Sequence, residues 1–308
     1  MGIKSVLKKS TTVRKMYDRM LKGYYSCLTR ISPKINTKVL YKKRFGRKLD
    51  LEDPKTLNEK ILKLKLDSYE KDTLVKQCSD KYAVRDYVQN CGCGDILIPL
   101  IASYDRPDDI EWNKLPEDFA MKWNYGSGFN IICRDKSKLD INKTVKQLKK
   151  WRKDPYYLVH SEMQYKGVNK KIIVEKLLKN ESGNTPEDYK FYCFNGRVEL
   201  IMVCLNRRKE NGSILADYIF YDRDWEIKPY SSDSYSAIEK KFCYPRPANI
   251  DKAIEYAEKL SAPFKFVRTD LYLCGEDIYF GELTFTPAGG LDTDLLIGDA
   301  EMGKMLAI

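Results

Sequence analysis

The chain has 308 residues, 43% of them hydrophobic and 12% aromatic, and a formal net charge of +11; this excludes a disordered polymer and leaves room for one large or two modest domains with a buried core. No apolar run approaches the roughly 20 residues of a membrane span, and the start MGIKSVLKKS lacks the apolar heart of a secretory signal and departs from the myristoylation pattern at Val6, so a cytoplasmic location is expected. Nine cysteines, an odd number without CxxC spacing, and the single histidine His160 argue for reduced thiols, against a disulfide framework, and against a metal site at Cys91 and Cys93.

The basicity sits at the start. Residues 1–48 hold fifteen Lys and Arg against the single Asp18, a net +14, which leaves −3 for the other 260 residues. Within this arm Val13, Tyr17, Met20, Leu21, Tyr24, Leu28 and Ile31 recur at three- and four-residue steps, which predicts an amphipathic helix ending before Pro33. Its stripe either packs on the protein's own core or leaves residues 1–32 to meet an anionic membrane or another polyanion.

Residues 49–115 read as a small α/β lobe. A turn at Asp53-Pro54 opens one helix, TLVKQCSDKYAVRDYVQNC reads as a second that Gly92 and Gly94 stop, and DILIPLIASYD reads as a buried strand. Residues 116–175 begin with a strand in which Phe119, Met121 and Trp123 take one face and Lys122 the other. The loop Asn124-Tyr125-Gly126-Ser127-Gly128 follows. It is either a plain turn or a place where backbone amides approach phosphate oxygens beside a lysine. INKTVKQLKKWRK then reads as a helix, and residues 176–308 are mostly strands. The whole predicts an α+β fold of mostly antiparallel sheets.

The last strands form a charged hairpin. FVRTDLYL and IYFGELTF flank the turn segment Cys274-Gly275-Glu276-Asp277. With the turn centred near Glu276, Asp270 lies opposite Glu282 and Arg268 opposite Thr284. Opposed carboxylates repel, so removing one should leave stability unchanged or slightly raised. A cation between them is expected, and two hard oxygen ligands suit Mg²⁺; a solvated face carrying an Arg-Asp pair is the alternative.

The phrases DPKTLNEKI, DKYAVRDYV, KWNYGSGFNIICRDK, KIIVEKLL, DYKFYCFNG and FVRTDLYLCGEDIYFGELTFTPAGG together resemble the TupA-like branch of the ATP-grasp superfamily, over roughly Leu49 to Gly290. The resemblance implies an ATP-grasp fold in which two α+β subdomains, residues 116–175 with the glycine loop and 176–308 with the metal hairpin, clamp ATP between sheets. It implies that Lys122, Gly126, Ser127 and Gly128 hold the phosphates, joined by Lys171. The strand Glu175, Lys176, Leu177 to Leu178 meets adenine, and Asp188 and Lys190 face the nucleotide. Asp270, Glu282 and Thr284 hold Mg²⁺, and Arg268 steadies the transferred phosphoryl group. The sequence departs from the family at Thr284, where many ligases carry Asn, and at Tyr125, where relatives of this branch show His.

The implied reaction converts a carboxylate into an acyl phosphate that an amine attacks, with Lys122 and Arg268 as the catalytic cations. The branch's association with surface or capsular polysaccharide implies a uronic-acid sugar or polysaccharide as the acid and an amino acid or amine as co-substrate, with no nucleic acid. A peripheral contact with the inner face of the membrane through residues 1–32 is compatible with it. Rival readings are a sugar or polysaccharide kinase on the same scaffold, and a glycosyltransferase, for which Asp292-Thr293-Asp294 is the one Asp-x-Asp motif considered.

Overall fold

The strand-forming runs collect into two antiparallel sheets with a cleft between them, and helices cover their outer faces. The computed structural model describes residues 11–180, 183–210 and 213–308. Lys4, Lys8 and Lys9 of the arm lie outside the described residues.

The arm comprises α1 (Thr11–Ile31) and α2 (Pro33–Phe45). The Ser32 hydroxyl accepts from the Ile35 amide at the start of α2, and Gly46 at φ 73° stops it. Next come α3 (Leu57–Leu64), started by a capping box between Thr56 and Glu59, and a π-helical turn over Lys65–Tyr69. The single helix expected over residues 73–91 is in fact α4 (Thr73–Ser79) and α5 (Val84–Asn90). The Asp80 carboxylate accepts from the amides of Tyr82 and Ala83, a local turn that displaces helix geometry and points Lys81 away from both helices.

β1 (Leu100–Tyr104), β2 (Phe119–Trp123) and β3 (Asn130–Cys133) are followed by α6 (Ile141–Arg152), α7 (Tyr156–His160) and β4 (Ile172–Glu175). They form the smaller sheet, in the order β1-β4-β2-β3. Leu100–Tyr104, which the sequence groups with the lobe of residues 49–115, is therefore the edge of the glycine-loop sheet, because its hydrogen-bond partner is Ile172–Glu175. Phe119, Met121 and Trp123 are buried as the alternation predicts, with Leu148 of α6 packed beneath them.

The larger sheet is built from β5 (Asp188–Phe194), β6 (Arg197–Glu210), β7 (Ser213–Tyr221), β8 (Ile227–Lys228), β9 (Phe266–Cys274) and β10 (Asp277–Thr284). Its order is β10-β9-β5-β6-β7-β8. Among its helices α8 (Ser232–Glu239) lies near β7, and α9 (Ile250–Ser261) buries Ile250, Ala253, Ile254, Ala257 and Leu260 against the sheet. The last helix, α10 (Asp299–Met305), returns to α3: Asp299 accepts from the Asn58 amide, and Lys60 donates to the carbonyls of Gly303 and Leu306.

The arm is part of the fold. Tyr25, Leu40, Tyr41, Leu49, Leu51, Leu62 and Leu291 form a third core, joined by Leu21 and Leu28. Thr29 donates to the Leu158 carbonyl at 2.6 Å, and Asn36 reaches Thr29, Ser161 and the Val159 carbonyl. These bonds turn the Leu21, Tyr25, Leu28, Thr29 face inward. Three members of the predicted stripe therefore point outward, Met20, Tyr24 and Ile31, exposed at 63%, 51% and 69%, along with Met16 at 70%. Among the described residues no helix is long and apolar enough to cross a membrane.

Candidate active site

The charged hairpin owes its register to one glycine. From Asp277↔Cys274 to Phe280↔Leu271 the pairing follows a tight turn centred between Gly275 and Glu276; a bulge at Gly281 then shifts it by one, giving Glu282↔Asp270 and Thr284↔Arg268. The bulge also reverses which parity faces the core: Ile278 and Phe280 are buried before it, Leu283 and Phe285 after it. Without it Glu282 would point into the core. The opposition deduced from the sequence is thus present, but a two-residue turn plus a bulge produces it.

The expectation that Asp270 and Glu282 repel is corrected by the side chains around them. Arg268 binds Asp270 with two bonds, at 2.7 and 2.8 Å. Lys190 bridges Asp270 at 2.6 Å and Asp188 at 2.5 Å, as the β5 to β9 pairing sets Lys190 beside Asp270. Lys81 holds Glu282 at 2.9 Å. Burial pushes the Glu282 carboxyl up, yet Lys81, Lys190 and Arg268 outweigh it and hold the group well below the usual carboxylate range. Arg268, Lys190 and Lys81 thus already offset the two carboxylates that a cation was expected to separate.

Across the cleft stands the loop between β2 and β3. Gly126 and Gly128 have φ of 69° and 77°, a conformation that glycine adopts without strain. A Cβ on Gly126 would meet the Tyr156 ring at 2.9 Å, whereas Gly128 faces open space. Lys81 ties the two sides together, since the same ammonium that pairs with Glu282 donates to the Gly126 carbonyl at 2.9 Å. Lys122 pairs with Glu175 at 2.8 Å, and Glu175 also takes Arg85 at 3.2 Å. Lys81, Lys122, Gly126, Ser127, Gly128, Asp188, Lys190, Asp270 and Glu282 line one cavity of about 380 Å³, floored by Cys204, Ala216, Tyr218 and Tyr272.

Several expected residues lie elsewhere. Lys171 pairs with Asp105 at 2.6 Å and lies over the Tyr82 ring, outside this cavity. Glu175 is buried as the acceptor between Lys122 and Arg85. Lys176 is exposed, its amide on the Pro99 carbonyl, and Leu177 is buried. Tyr125 is buried among Trp123 and Phe129, with its hydroxyl on the Trp151 carbonyl. Asp292 accepts from the Asp294 amide in a tight turn, and neither lines the cavity. Lys81, like Glu162 in an adjoining cavity, is a residue that sequence reading missed. The one signal for it was Ser79-Asp80-Lys81, a capping-type acid interrupting a helical pattern.

A second cavity of about 270 Å³ adjoins the first, and Gly126, Ser127 and Glu282 line both. Its other walls include Arg268, Thr284, Thr286, Tyr156, His160 and Glu162. Glu162 is 3% exposed. Its Oε1 accepts from Thr286 at 2.6 Å, while its Oε2 makes no hydrogen bond, although Tyr156 lies close enough to interact with the carboxylate. Burial pushes the Glu162 carboxyl up against the pull of Thr286 and Lys65. Lys65, 1% exposed, clamps the carbonyls of His160 and Gly289 at 2.9 and 3.0 Å, and burial brings its ammonium down to about 8. Burial, then the Lys65 charge, push His160 down to about 4.

The oxygen-only set of Asp270, Glu282 and Thr284 suits a hard divalent cation. The Thr284 hydroxyl lies 3.2 Å from Glu282 and 3.5 Å from Arg268. Among the described residues no cluster of three or more His, Cys, Asp or Glu forms a denser metal site. The donors fit such a cation at the seam between the two cavities, with Glu282 reaching both.

The family profile described as TupA-like ATPgrasp matches residues 59–304. No curated protein matches in sequence. Among solved structures, the chain is similar to D-alanine–D-alanine ligase from Bacillus anthracis complexed with ATP, with 14% identity, 74% of this chain and 61% of that one covered, and a TM-score of 0.45. It is similar to L-amino acid ligase from Bacillus licheniformis, with 14% identity, coverage of 74% and 51%, and a TM-score of 0.41. N5-carboxyaminoimidazole ribonucleotide synthetase from Thermus thermophilus gives 13% identity, coverage of 69% and 46%, and a TM-score of 0.40. The chain thus spans about half to three-fifths of the length of these neighbours.

Proposed function

The chain belongs to the TupA-like ATP-grasp family, and from this we propose that it is an ATP-dependent carboxylate-amine ligase, joining a uronic-acid carboxylate of a surface or capsular polysaccharide, or its precursor, to an amino acid or amine. The observation that carries the reading is the pair of cavities with a common wall. One presents Lys81, Lys122 and Lys190 to a polyphosphate beneath a glycine loop; the other presents Arg268 and the buried Glu162 to two further reactants. A kinase needs only an acceptor hydroxyl and a base beside the phosphates. A ligase needs room for an acid and an amine together.

The acid's carboxylate oxygen attacks the terminal phosphorus, which leaves ADP and an acyl phosphate. The amine nitrogen then attacks the acyl carbon, a C–N bond forms, and the C–O bond to phosphate breaks. Lys81, Lys122 and Lys190 neutralise the triphosphate, and Arg268 faces the acid and later the tetrahedral oxyanion. A Mg²⁺ held by Asp270, Glu282 and Thr284 would screen the repulsion between carboxylate and phosphates. Glu162 receives the proton that the attacking ammonium must lose, since it lines this cavity and burial raises its pKa, which makes it a usable base. The membrane contact through residues 1–32 belongs to the same proposal: Met16, Met20 and Tyr24 are exposed on a basic helix.

ATP with Mg²⁺ should raise the melting temperature, and phosphate should be released only when a uronic acid and an amine are both present. Glu162→Gln should slow the amine-dependent step roughly 10²- to 10⁴-fold while keeping the ATP-induced shift. Phosphate retained on the sugar without any amine would establish the kinase instead. A protein whose melting does not respond to any nucleotide would end the reading.

A further inference from the structure

Behind the second cavity lies a third, of about 540 Å³, walled by Tyr25 of α1, Leu40, Lys43 and Arg44 of α2, and His160, Ala288 and Leu291. His160 and Ala288 line this cavity and the Arg268 cavity alike, so the two adjoin at these residues. The volume lies in the range of about 300–1,000 Å³ usual for ligand sites. Lys43 donates to the Tyr25 hydroxyl at 2.7 Å and lies 5.2 Å from the centre of that ring, and Arg44 donates to the Thr293 hydroxyl at 2.6 Å. Among the described residues neither cation has a carboxylate within 4.0 Å; Asp292 acts on Arg44 only at longer range. Both bonds are to neutral oxygens, which orient a cation without discharging it. Asp292, pushed up by burial and by the Asp294 carboxylate and pulled down first by the Asp294 amide, then by Arg268 and Arg44, lies within electrostatic reach of the inner and the outer arginine.

We propose that this outer cavity is an acceptor groove for an elongated polycarboxylate, whose reactive carboxylate lies beside Arg268 while its next acid groups meet Lys43 and Arg44. The proposal rests on the ligase reading for its inner end alone. The arm is then a wall of the substrate site, which accounts for its being pinned to α7 by buried hydrogen bonds from Thr29 and Asn36. A bilayer would need cations and apolar side chains together on one outward face. Lys43 and Arg44 instead border a concavity, and the exposed Met16, Met20 and Tyr24 are not among its walls.

The test is equilibrium binding to the full chain without nucleotide, by fluorescence anisotropy of end-labelled trigalacturonate and of triglutamate, which separate a sugar from a peptide source of the acid groups. At least one trimer should bind roughly ten-fold more tightly than its monomer, its methyl ester should lose that gain, and salt should weaken it. Lys43→Gln with Arg44→Gln should reduce trimer affinity roughly three- to thirty-fold. Should that variant melt early, the acid-against-ester comparison on the unaltered chain decides. Equal binding of trimer, monomer and ester overturns the groove. So does a double variant of unchanged melting temperature that binds the trimer normally yet releases vesicles of phosphatidylglycerol, which would make these cations a lipid contact. Binding is measured without nucleotide, so a chain that binds the trimer yet releases no phosphate in the separate assay with ATP, Mg²⁺ and an amine refutes the ligase reading while leaving the groove standing.

Discussion

Asp270 accepts hydrogen bonds from both Arg268 and Lys190 while itself only 3% exposed. Asp270→Asn therefore leaves two largely buried cations sharing a neutral amide. It should abolish turnover and lower stability by about 3–5 kcal/mol, the usual effect of removing one partner of a buried pair. Urea unfolding measures it; a variant as stable as the parent would show repulsion from Glu282 to be the larger effect. His160 supplies a second test. Its folded pKa of about 4 lies below the ordinary 6.5, so the unfolded chain gains a proton that the folded chain refuses. Stability is full above pH 6.5 and falls as pH drops from 6.5 toward 4, by up to about 3 kcal/mol. His160→Asn should flatten that part of the curve of unfolding free energy against pH. An unchanged acid slope would assign it to carboxylates.

Among the elements, β10 depends on Gly281. A Cβ there would meet the Asp270 carbonyl oxygen at 2.9 Å and the Tyr272 ring at 3.2 Å. Gly281→Ala must open the bulge or move β9, at about 1–3 kcal/mol, and the displaced groups include Glu282 and Asp270. The ATP-induced melting shift should fall by more than the loss of stability explains. A variant with lowered stability and an intact nucleotide shift would show that Glu282 keeps its place without the bulge. The break between α4 and α5 has a comparable consequence, since the Asp80 turn is what delivers Lys81 to Gly126 and Glu282.

For the molecule as a whole, the arm decides between two physical pictures. Deleting residues 1–32 removes Leu21, Tyr25, Leu28 and the Thr29 hydrogen bonds from the third core. At about 1.5–3 kcal/mol for each large apolar side chain buried, the loss is on the order of 5 kcal/mol, comparable to the whole stability of many domains. The truncated chain should be insoluble or melt far below the parent. A truncation of unchanged melting temperature would return the arm to a purely electrostatic role.

What the sequence determined by itself is what local pattern encodes. Alternation set Phe119, Met121 and Trp123 inward and Lys122 outward, Pro33 ended the first helix, and the α+β layout followed from strand-rich runs after helical ones. The phrases that resemble the family made its membership legible over most of the chain. Tertiary structure alone decided the rest, because charge partners and faces depend on neighbours distant in the chain. Lys81 and Glu282 are about two hundred residues apart, and only folding brings that lysine to both sides of the cleft. Lys171 carries the same charge as Lys122, yet Asp105 draws it out of the cleft. The periodicity of α1 showed that an apolar stripe existed; hydrogen bonds from Thr29 and Asn36 to the α7 region chose which side of the helix is buried. Helical period fixes spacing around an axis, and only a packed partner fixes the rotation about it.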